Sequence, residues 1–403
     1  MQTYRNVTDD IIFVGGSDRR IALFENAYPV EEGMTYNSYV IMDEKIAILD
    51  TVDAAIADLF FENLEVLLDG RKPDYVIVNH MEPDHCATLQ ELLLRYPDTK
   101  VVGNAKTKTL IGQFFPKLKL ADDQFVSVKE ADTLSLGKHT LQFFMAPMVH
   151  WPEVMVTYEQ TEKVLFSADA FGTFGATKGN LFADENGFSE ADYKEARRYY
   201  ANIVGKYGMQ TLSLLKKAAG LDIQYICPLH GPVWRENLAE FIGKYQKWGA
   251  YEPEEKGVMI VYGSIYGGTQ NAAEVLAQKL SQKGVKPIAL YDASKTHPSY
   301  LVGEAFRYSH LVFASITYNN GLFPPMETLL LDLKAHMLKN RTVGIIGNGS
   351  WMPQSPKIMT ELVSSMSGMQ ILEPTVVIRS AAKEDDMAAL DALADAIKDS
   401  LES

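Results

Sequence analysis

Asn79-His80-Met81-Glu82-Pro83-Asp84-His85-Cys86-Ala87 is the stretch on which the reading of this chain turns. Four of these nine residues, His80, Glu82, Asp84 and His85, carry side chains that bind metal ions. An apolar run, Tyr75 to Val78, precedes them and reads as a buried strand, and Leu89 to Leu94 beyond them has a helical pattern. The spacing predicts a loop at the carboxyl end of a strand, where α/β proteins place their chemistry. Residues two apart point the same way in extended chain, so His80, Glu82 and Asp84 converge while the adjacent His85 faces elsewhere, towards a second ion. A solvated polar turn has no need of two imidazoles and two carboxylates within six consecutive residues.

Three more predicted strands end in a residue of the same kind. Thr140 to Met145 leads through Ala146-Pro147-Met148-Val149 to His150, Val164 to Ala168 runs into Asp169, and Ile223 to Cys227 is followed by Pro228-Leu229-His230. A lone histidine after a strand is usually a satisfied structural group, but His150, Asp169 and His230 share one topological position with the opening loop. Of eight histidines four fall in this set; His139, His297, His310 and His336 are read as surface or packing residues. Before the loop, Ile11 to Gly16, Ile21 to Phe24, Ser38 to Met42 and Lys45 to Leu49 read as an antiparallel series, and Asp53 to Leu68 as an amphipathic helix. After it, strands Lys100 to Gly103 and Gln124 to Val128 flank a helix near Thr107 to Phe114, and helices span Glu190 to Val204 and Met209 to Ala219.

The 403 residues exceed one ordinary core, so two domains are expected. A net charge of −14 argues against nucleic-acid binding, which needs a basic surface. No apolar stretch approaches the ~20 residues of a membrane span, and the N-terminus has no apolar signal core, so the protein is expected to be soluble. Cys86 and Cys227, neither within a C-x-x-C pair, make no disulfide framework and point to a reducing, cytoplasmic setting. Cys86 follows a candidate ligand, yet reads better as a small buried packing residue than as a redox thiol.

Gly249 to Lys256 is a charged, proline-containing break that separates a domain over residues 1–250 from one over 257–403. The second part alternates strands at Gly257 to Tyr262, Lys286 to Tyr291, His310 to Ala314, Thr342 to Ile346 and Gln370 to Ile378 with helices starting near Thr269, Ser299, Pro325, Pro353 and Lys383. Five strands in that pattern make a doubly wound parallel sheet. Its first strand enters Ser264-Ile265-Tyr266-Gly267-Gly268-Thr269, where hydroxyls and bare backbone amides at a helix start suit a phosphate. The loop lacks the lysine of a nucleoside-triphosphate site, so a monophosphate held by neutral donors is expected. Two later strand ends, Thr317-Tyr318-Asn319-Asn320-Gly321 and Gly347-Asn348-Gly349-Ser350-Trp351, offer aromatic faces and amides for a flat heteroaromatic ring.

Taken together, these residues resemble a flavodiiron protein over the whole chain. The motif H-x-E-x-D-H, followed by H, D and H, stands here as His80-x-Glu82-x-Asp84-His85, His150, Asp169 and His230. The resemblance implies a metallo-β-lactamase-like αββα sandwich joined to a flavodoxin-like five-stranded domain. It further implies that His80, Glu82 and His150 hold one iron, Asp84, His85 and His230 the other, and that Asp169 bridges them. Related hydrolases carry H-x-H-x-D-H and bind zinc; Glu82 replaces an imidazole by a hard anionic oxygen, which suits iron. Three carboxylates offset three of the four charges on two divalent ions and leave room for a bridging hydroxide.

The phosphate loop would hold FMN by its phosphate, and the two later loops its isoalloxazine ring. The implied activity is reduction of dioxygen to water, or of nitric oxide to nitrous oxide, in a head-to-tail homodimer or a dimer of dimers. No rubredoxin-like C-x-x-C module is seen before Ser403, so a separate donor such as rubredoxin is expected. Tyr28, Tyr36, Phe171 and Trp151 are the aromatic residues considered for tuning the choice of gas, with core packing as their ordinary role. Two readings from other classes compete: a zinc hydrolase with a fused flavin domain, and an electron carrier with a structural metal. The first conflicts with Glu82. The second conflicts with seven ligands for two ions, where closed structural sites supply four apiece.

Overall fold

The computed structural model describes residues 3–187 and 189–402. It divides into two compact units, one running to Tyr200 and taking in Met209–Gln246, the other made of Ala201–Gly208 and the chain from Lys247 onward.

In the first unit, Ile11–Phe13, Tyr39–Ile41 and Ala47–Leu49 pair antiparallel, as short connections allow. Tyr75–Ile77, Lys100–Gly103 and Phe125–Ser127 then join in parallel, each after a helical crossover through Ala57–Leu68, Leu89–Arg95 or Ala105–Phe114. A second sheet is ordered Thr133–Ser135, Thr140–Met145, Met155–Glu159, Val164–Phe166 and Tyr225–Cys227. The two sheets close on one core: Tyr39, Ile41, Leu49, Ile77 and Val102 from the first pack with Leu141, Phe143, Met155, Val164 and Phe166 from the second. The alternate residues Val40, Ile48, Val76 and Val101 are equally buried, so the outer face is covered too, giving an αββα sandwich.

The first unit departs from the sequence expectation at three places. Pairing of Ile11 to Gly16 stops at Phe13, and Gly16–Asp18 pairs instead with Met34–Tyr36. Gly15 permits the change of partner, because a Cβ there would lie 2.3 Å from the Tyr36 carbonyl oxygen. Ile21 to Phe24 is reduced to Leu23–Phe24, paired with Tyr28–Pro29. Met155–Glu159 is a fully buried strand whose polar members mask it in the sequence. The Thr157 hydroxyl donates to the Asn79 side chain at 2.7 Å, and Glu159 accepts the Thr161 and Glu162 amides.

The second unit is a parallel sheet in the order Ile288–Asp292, Glu255–Gly263, Tyr308–Tyr318, Thr342–Asn348, with Gln370–Ile371 and Val376–Ile378 sharing the last position. This is the 2-1-3-4-5 order of flavodoxin-like folds. The expected strand Gln370 to Ile378 is split at Pro374, which has no N–H to give to the ladder. On one face Val258, Ile260, Val312 and Ile346 pack with Leu276 and Leu280 of Gly268–Gln282 and with Leu390 and Leu393 of Glu384–Glu402. No helix of the described residues is long and apolar enough to cross a membrane.

Candidate metal centre and cofactor loops

Asp50 sets the start of the ligand loop. Its carboxylate accepts the Asn79 amide at 2.7 Å, the Asn79 side chain at 2.8 Å and the His80 amide at 3.1 Å, which turns the chain as it leaves strand Tyr75–Ile77. Glu82 is still extended, at φ −65° and ψ 141°, and Pro83 then opens the short helix Pro83–Cys86. That change from strand to helix geometry is what separates His80 and Glu82 from Asp84 and His85.

The seven candidate ligands fall into two groups in space. His80, Glu82, His150 and Asp169 form one, Asp84, His85 and His230 the other, and within each the ligand atoms lie within 4.8 Å of one another. In the first, Glu82 Oε2 is 3.1 Å from His80 Nε2 and 2.9 Å from His150 Nε2. In the second, Asp84 Oδ2 is 3.3 Å from His85 Nε2 and 3.2 Å from His230 Nε2. Asp169 spans them. Its Oδ2 lies 3.3 Å from His80 Nε2 and 3.1 Å from His150 Nε2, and its Oδ1 lies 3.2 Å from His85 Nε2.

These separations match the edges of a coordination polyhedron. Ligand atoms ~2.1 Å from a common ion stand about 3 Å apart when they subtend a right angle at it. His85 and His230 bring their Nε2 atoms to 3.0 Å, so the two ring nitrogens face one position. Both Asp84 oxygens, Asp169 Oδ1 and His150 Nε2 are buried without a hydrogen-bond partner, as atoms meant for an ion would be. Three carboxylates and four imidazoles fit two iron ions, the acid oxygens favouring the harder metal.

Outer partners fix the imidazoles. Glu153 Oε1 is 2.8 Å from His80 Nδ1 and also accepts the Met81 amide, and a carboxylate can only accept, so His80 carries its proton on Nδ1 and presents Nε2. His230 Nδ1 likewise donates to the Thr35 carbonyl at 2.7 Å. Glu153 and Asp50 are site residues that sequence reasoning missed. Glu153 stood in His150-Trp151-Pro152-Glu153 with only its nearness to a candidate ligand as a signal.

Without an ion, protons take its place. Burial pulls the His150 imidazole down, but the Asp169 and Glu82 carboxylates outweigh it and raise its pKa to about 9. Burial pushes Glu82 up, and His150 and His80 overcome that, holding it at about 2. The signs predict a window. The His150 contribution is complete below the ordinary value of 6.5 and is lost as pH rises through about 9; that of Glu82 is complete above 4.5 and is lost as pH falls through about 2. Calorimetry of chelator-treated protein should therefore find its highest Tm between these ordinary values, with a decline above pH 6.5 that bound metal abolishes.

Other groups do not join the centre. Cys86 is buried, donates to the Met81 carbonyl at 3.1 Å and has its thiol pushed up to about 12 by burial, so it is an inert packing residue. Asp10, His139 and Glu162 form a third acidic group, but the Lys138 ammonium already pairs with Asp10 and lies 3.4 Å from Glu162. His139 is fully buried there as a packing residue. Of the four aromatic residues considered, Tyr36 and Trp151 reach ligand rings, at centroid distances of 5.8 Å from His230 and 5.4 Å from His80. Tyr28 lies against Phe174, and Phe171 against Tyr245.

In the second unit, Ser264 to Thr269, Thr317 to Gly321 and Asn348 to Trp351 lie at the carboxyl ends of three adjacent parallel strands, Thr317, Tyr318 and Asn348 being the last strand residues themselves. The Ser264 hydroxyl accepts the Gly267 amide at 3.1 Å, and Gly267, at φ 90°, turns the chain into helix Gly268–Gln282. The Thr269 hydroxyl at its start is buried without a partner, as a phosphate-binding group would be. Asn319 and Asn320, both at positive φ, make the tight turn that returns Tyr318 to Gly321. Thr317 accepts the Gln354 and Ser355 amides, and Asn348 exchanges two hydrogen bonds with Ser380. Tyr266 and Trp351 stand 95% and 86% exposed, an arrangement that a stacked ring would explain. A Cβ at Gly268 would lie 2.2 Å from the Ser380 carbonyl oxygen, so Gly268→Ala should displace this cradle. We expect it to cost about 1–3 kcal/mol of stability and most of the bound flavin, while metal content is unchanged. Flavin absorbance and metal analysis of one preparation check this.

The family model described as the ODP family beta lactamase matches residues 34–231, and the flavodoxin model matches residues 260–392. An anaerobic nitric oxide reductase flavorubredoxin of Klebsiella pneumoniae is 30% identical over 352 residues, 86% of this chain and 71% of that protein. The structure of rubredoxin oxygen:oxidoreductase from the anaerobe Desulfovibrio gigas matches with a TM-score of 0.92 at 29% identity, over 99% of this chain and 98% of that one. That of the flavodiiron protein from Giardia intestinalis matches with a TM-score of 0.89 at 25% identity, over 99% and 97%. The chain belongs to the flavodiiron proteins. A further relative, an uncharacterised protein of Methanocaldococcus jannaschii, is 30% identical over 94% of both chains. As a flavodiiron protein this chain is an oxidoreductase whose cofactors are FMN and a diiron centre, and the residues described above fit both.

Proposed function

We propose that the protein reduces dioxygen to water, nitric oxide to nitrous oxide, or both, with His80, Glu82 and His150 holding one iron, Asp84, His85 and His230 the other, and Asp169 bridging. The observation that carries this reading is the division of Asp169 between the two groups, one oxygen to each. Bound iron supplies the redox chemistry on the gas, and FMN supplies the electrons. The ligand side chains hold the two ions rigidly: His80, His85, His230 and Asp169 are at most 1% exposed. Glu82, Asp84 and His150 retain 16%, 12% and 12% side-chain exposure, and they mark the side from which a small neutral molecule reaches the centre. Burial, aided by Asp169 and Asp84, keeps the Tyr199 phenol protonated, and its hydroxyl has no partner. Its ring lies 5.6 Å from that of His230, packed beside the second ligand group. A zinc hydrolase reading gains no support from a ligand set with glutamate at position 82.

On the same reading, Ser264, Ile265, Tyr266, Gly267, Gly268 and Thr269 hold the FMN phosphate. Thr317, Tyr318, Asn319, Asn320 and Gly321, with Asn348, Gly349, Ser350 and Trp351, hold its ring. The donor is a rubredoxin or a similar small electron carrier, and the protein works in the cytoplasm as a head-to-tail homodimer, alone or paired into a tetramer. Parallel steady-state kinetics with both gases on iron-loaded, FMN-replete protein test the activity; turnover of neither gas would overturn it. Stopped-flow flavin reduction tests the donor, and a fully active monomer in sedimentation would refute the dimer.

A further inference from the structure

The two metal positions differ in what stands behind their imidazoles. His80 Nδ1 donates to the Glu153 carboxylate at 2.8 Å, and both side chains are wholly buried. Glu153 is itself held in place, its Oε1 accepting the Met81 amide at 2.8 Å and its main-chain carbonyl accepting the Asn104 side chain at 2.6 Å. Across the site, His230 Nδ1 donates only to a neutral carbonyl, that of Thr35, and His85 Nδ1 is buried without a partner. Each position has one carboxylate of its own, Glu82 or Asp84, and shares Asp169. Glu153 is thus a buried anion hydrogen-bonded directly to the far nitrogen of a ligand imidazole, whereas Asp50, the buried carboxylate acting on His85, spends its oxygens on the Asn79 and His80 amides and the Asn79 side chain. A carboxylate behind an imidazole makes the ligand more basic, and the more basic ligand favours the more highly charged ion.

We propose that Glu153 is a positioning residue that makes the two metal positions inequivalent, so that the ion at His80, Glu82 and His150 gives up its electron first. This rests on the diiron reading of the centre. The step is a one-electron oxidation of ferrous to ferric iron at that position, and the electron goes to whichever one-electron oxidant is supplied.

Glu153→Gln isolates the charge, since glutamine keeps an oxygen that can accept from His80 Nδ1 and the Met81 amide. Iron-loaded wild-type and E153Q proteins would be titrated anaerobically with ferricyanide, each equivalent taking one electron from one ferrous ion, and followed by Mössbauer spectroscopy. In the wild type the first equivalent should convert one of two distinguishable ferrous sites. In E153Q that site should oxidise at a higher potential, closer to its neighbour, with the FMN potentials unmoved. Equal shifts at both sites, or none, would overturn the proposal. Should E153Q hold iron poorly, competitive zinc titration replaces the readout: one of two ions should bind about 10–100-fold more weakly, and equal weakening of both would refute it. Failure of the wild type to take up iron would instead count against the diiron reading, and the zinc titration would still test the inequivalence.

Discussion

Asp169→Asn should yield a protein that folds and binds FMN yet retains no stable pair of iron ions and reduces neither gas at a measurable rate. Asp169 is the only described side chain whose two oxygens face different ligand groups, at 3.1 and 3.3 Å on one side and 3.2 Å on the other. Asparagine keeps the shape but loses the charge, and one of its two positions becomes an NH2 that repels a cation. Loss of an outer partner of a metal ligand costs 10–100-fold in affinity; loss of the shared ligand should exceed about 100-fold at both positions. The metal-free fold should also weaken, because the His80 and His150 imidazoles lose the anion that keeps them charged. Iron analysis, flavin absorbance and gas electrodes on one preparation check all three statements; a mutant with two irons and full turnover would contradict them.

Glu82→His should be almost as damaging, and in a more informative way. It recreates the H-x-H-x-D-H pattern of the zinc hydrolases at a site where Glu82 Oε2 now lies 2.9–3.1 Å from two imidazoles. A third imidazole replaces the hard oxygen and removes one negative charge, and both changes favour zinc over iron. The expected result is a protein that takes up zinc in preference to iron, has lost gas reduction and still binds FMN. Unchanged iron retention would mean that the glutamate does not set the metal.

Both substitutions concern residues that the sequence exposed, and the reason is geometric. At His80, His150, Asp169 and His230 an apolar strand gives way to a polar residue, and the ends of one strand from the first sheet and three from the second bring these residues together. Glu153 and Asp50 had no such mark: each acts through two or three hydrogen bonds whose partners lie 29 to 73 residues away. Strand Met155–Glu159 escaped because its Thr157 and Glu159 spend their polarity on buried hydrogen bonds, to Asn79 of the ligand loop and to the Thr161 and Glu162 amides of the next turn, which composition cannot distinguish from exposure. In the second unit the helix starts were legible to within two residues from prolines and glycines, whereas the interruption at Pro374 shows only when register is known. The assignment of Ala201–Gly208 to the second unit, from the midst of helical sequence belonging to the first, has no local signal at all.

Mössbauer spectroscopy of the oxidised protein loaded with isotopically enriched iron tests the pair of irons bridged through Asp169. Two irons per chain are expected, coupled so that the oxidised centre is diamagnetic at low temperature. Uncoupled ferric ions, or a single iron per chain at full gas-reductase activity, would contradict it.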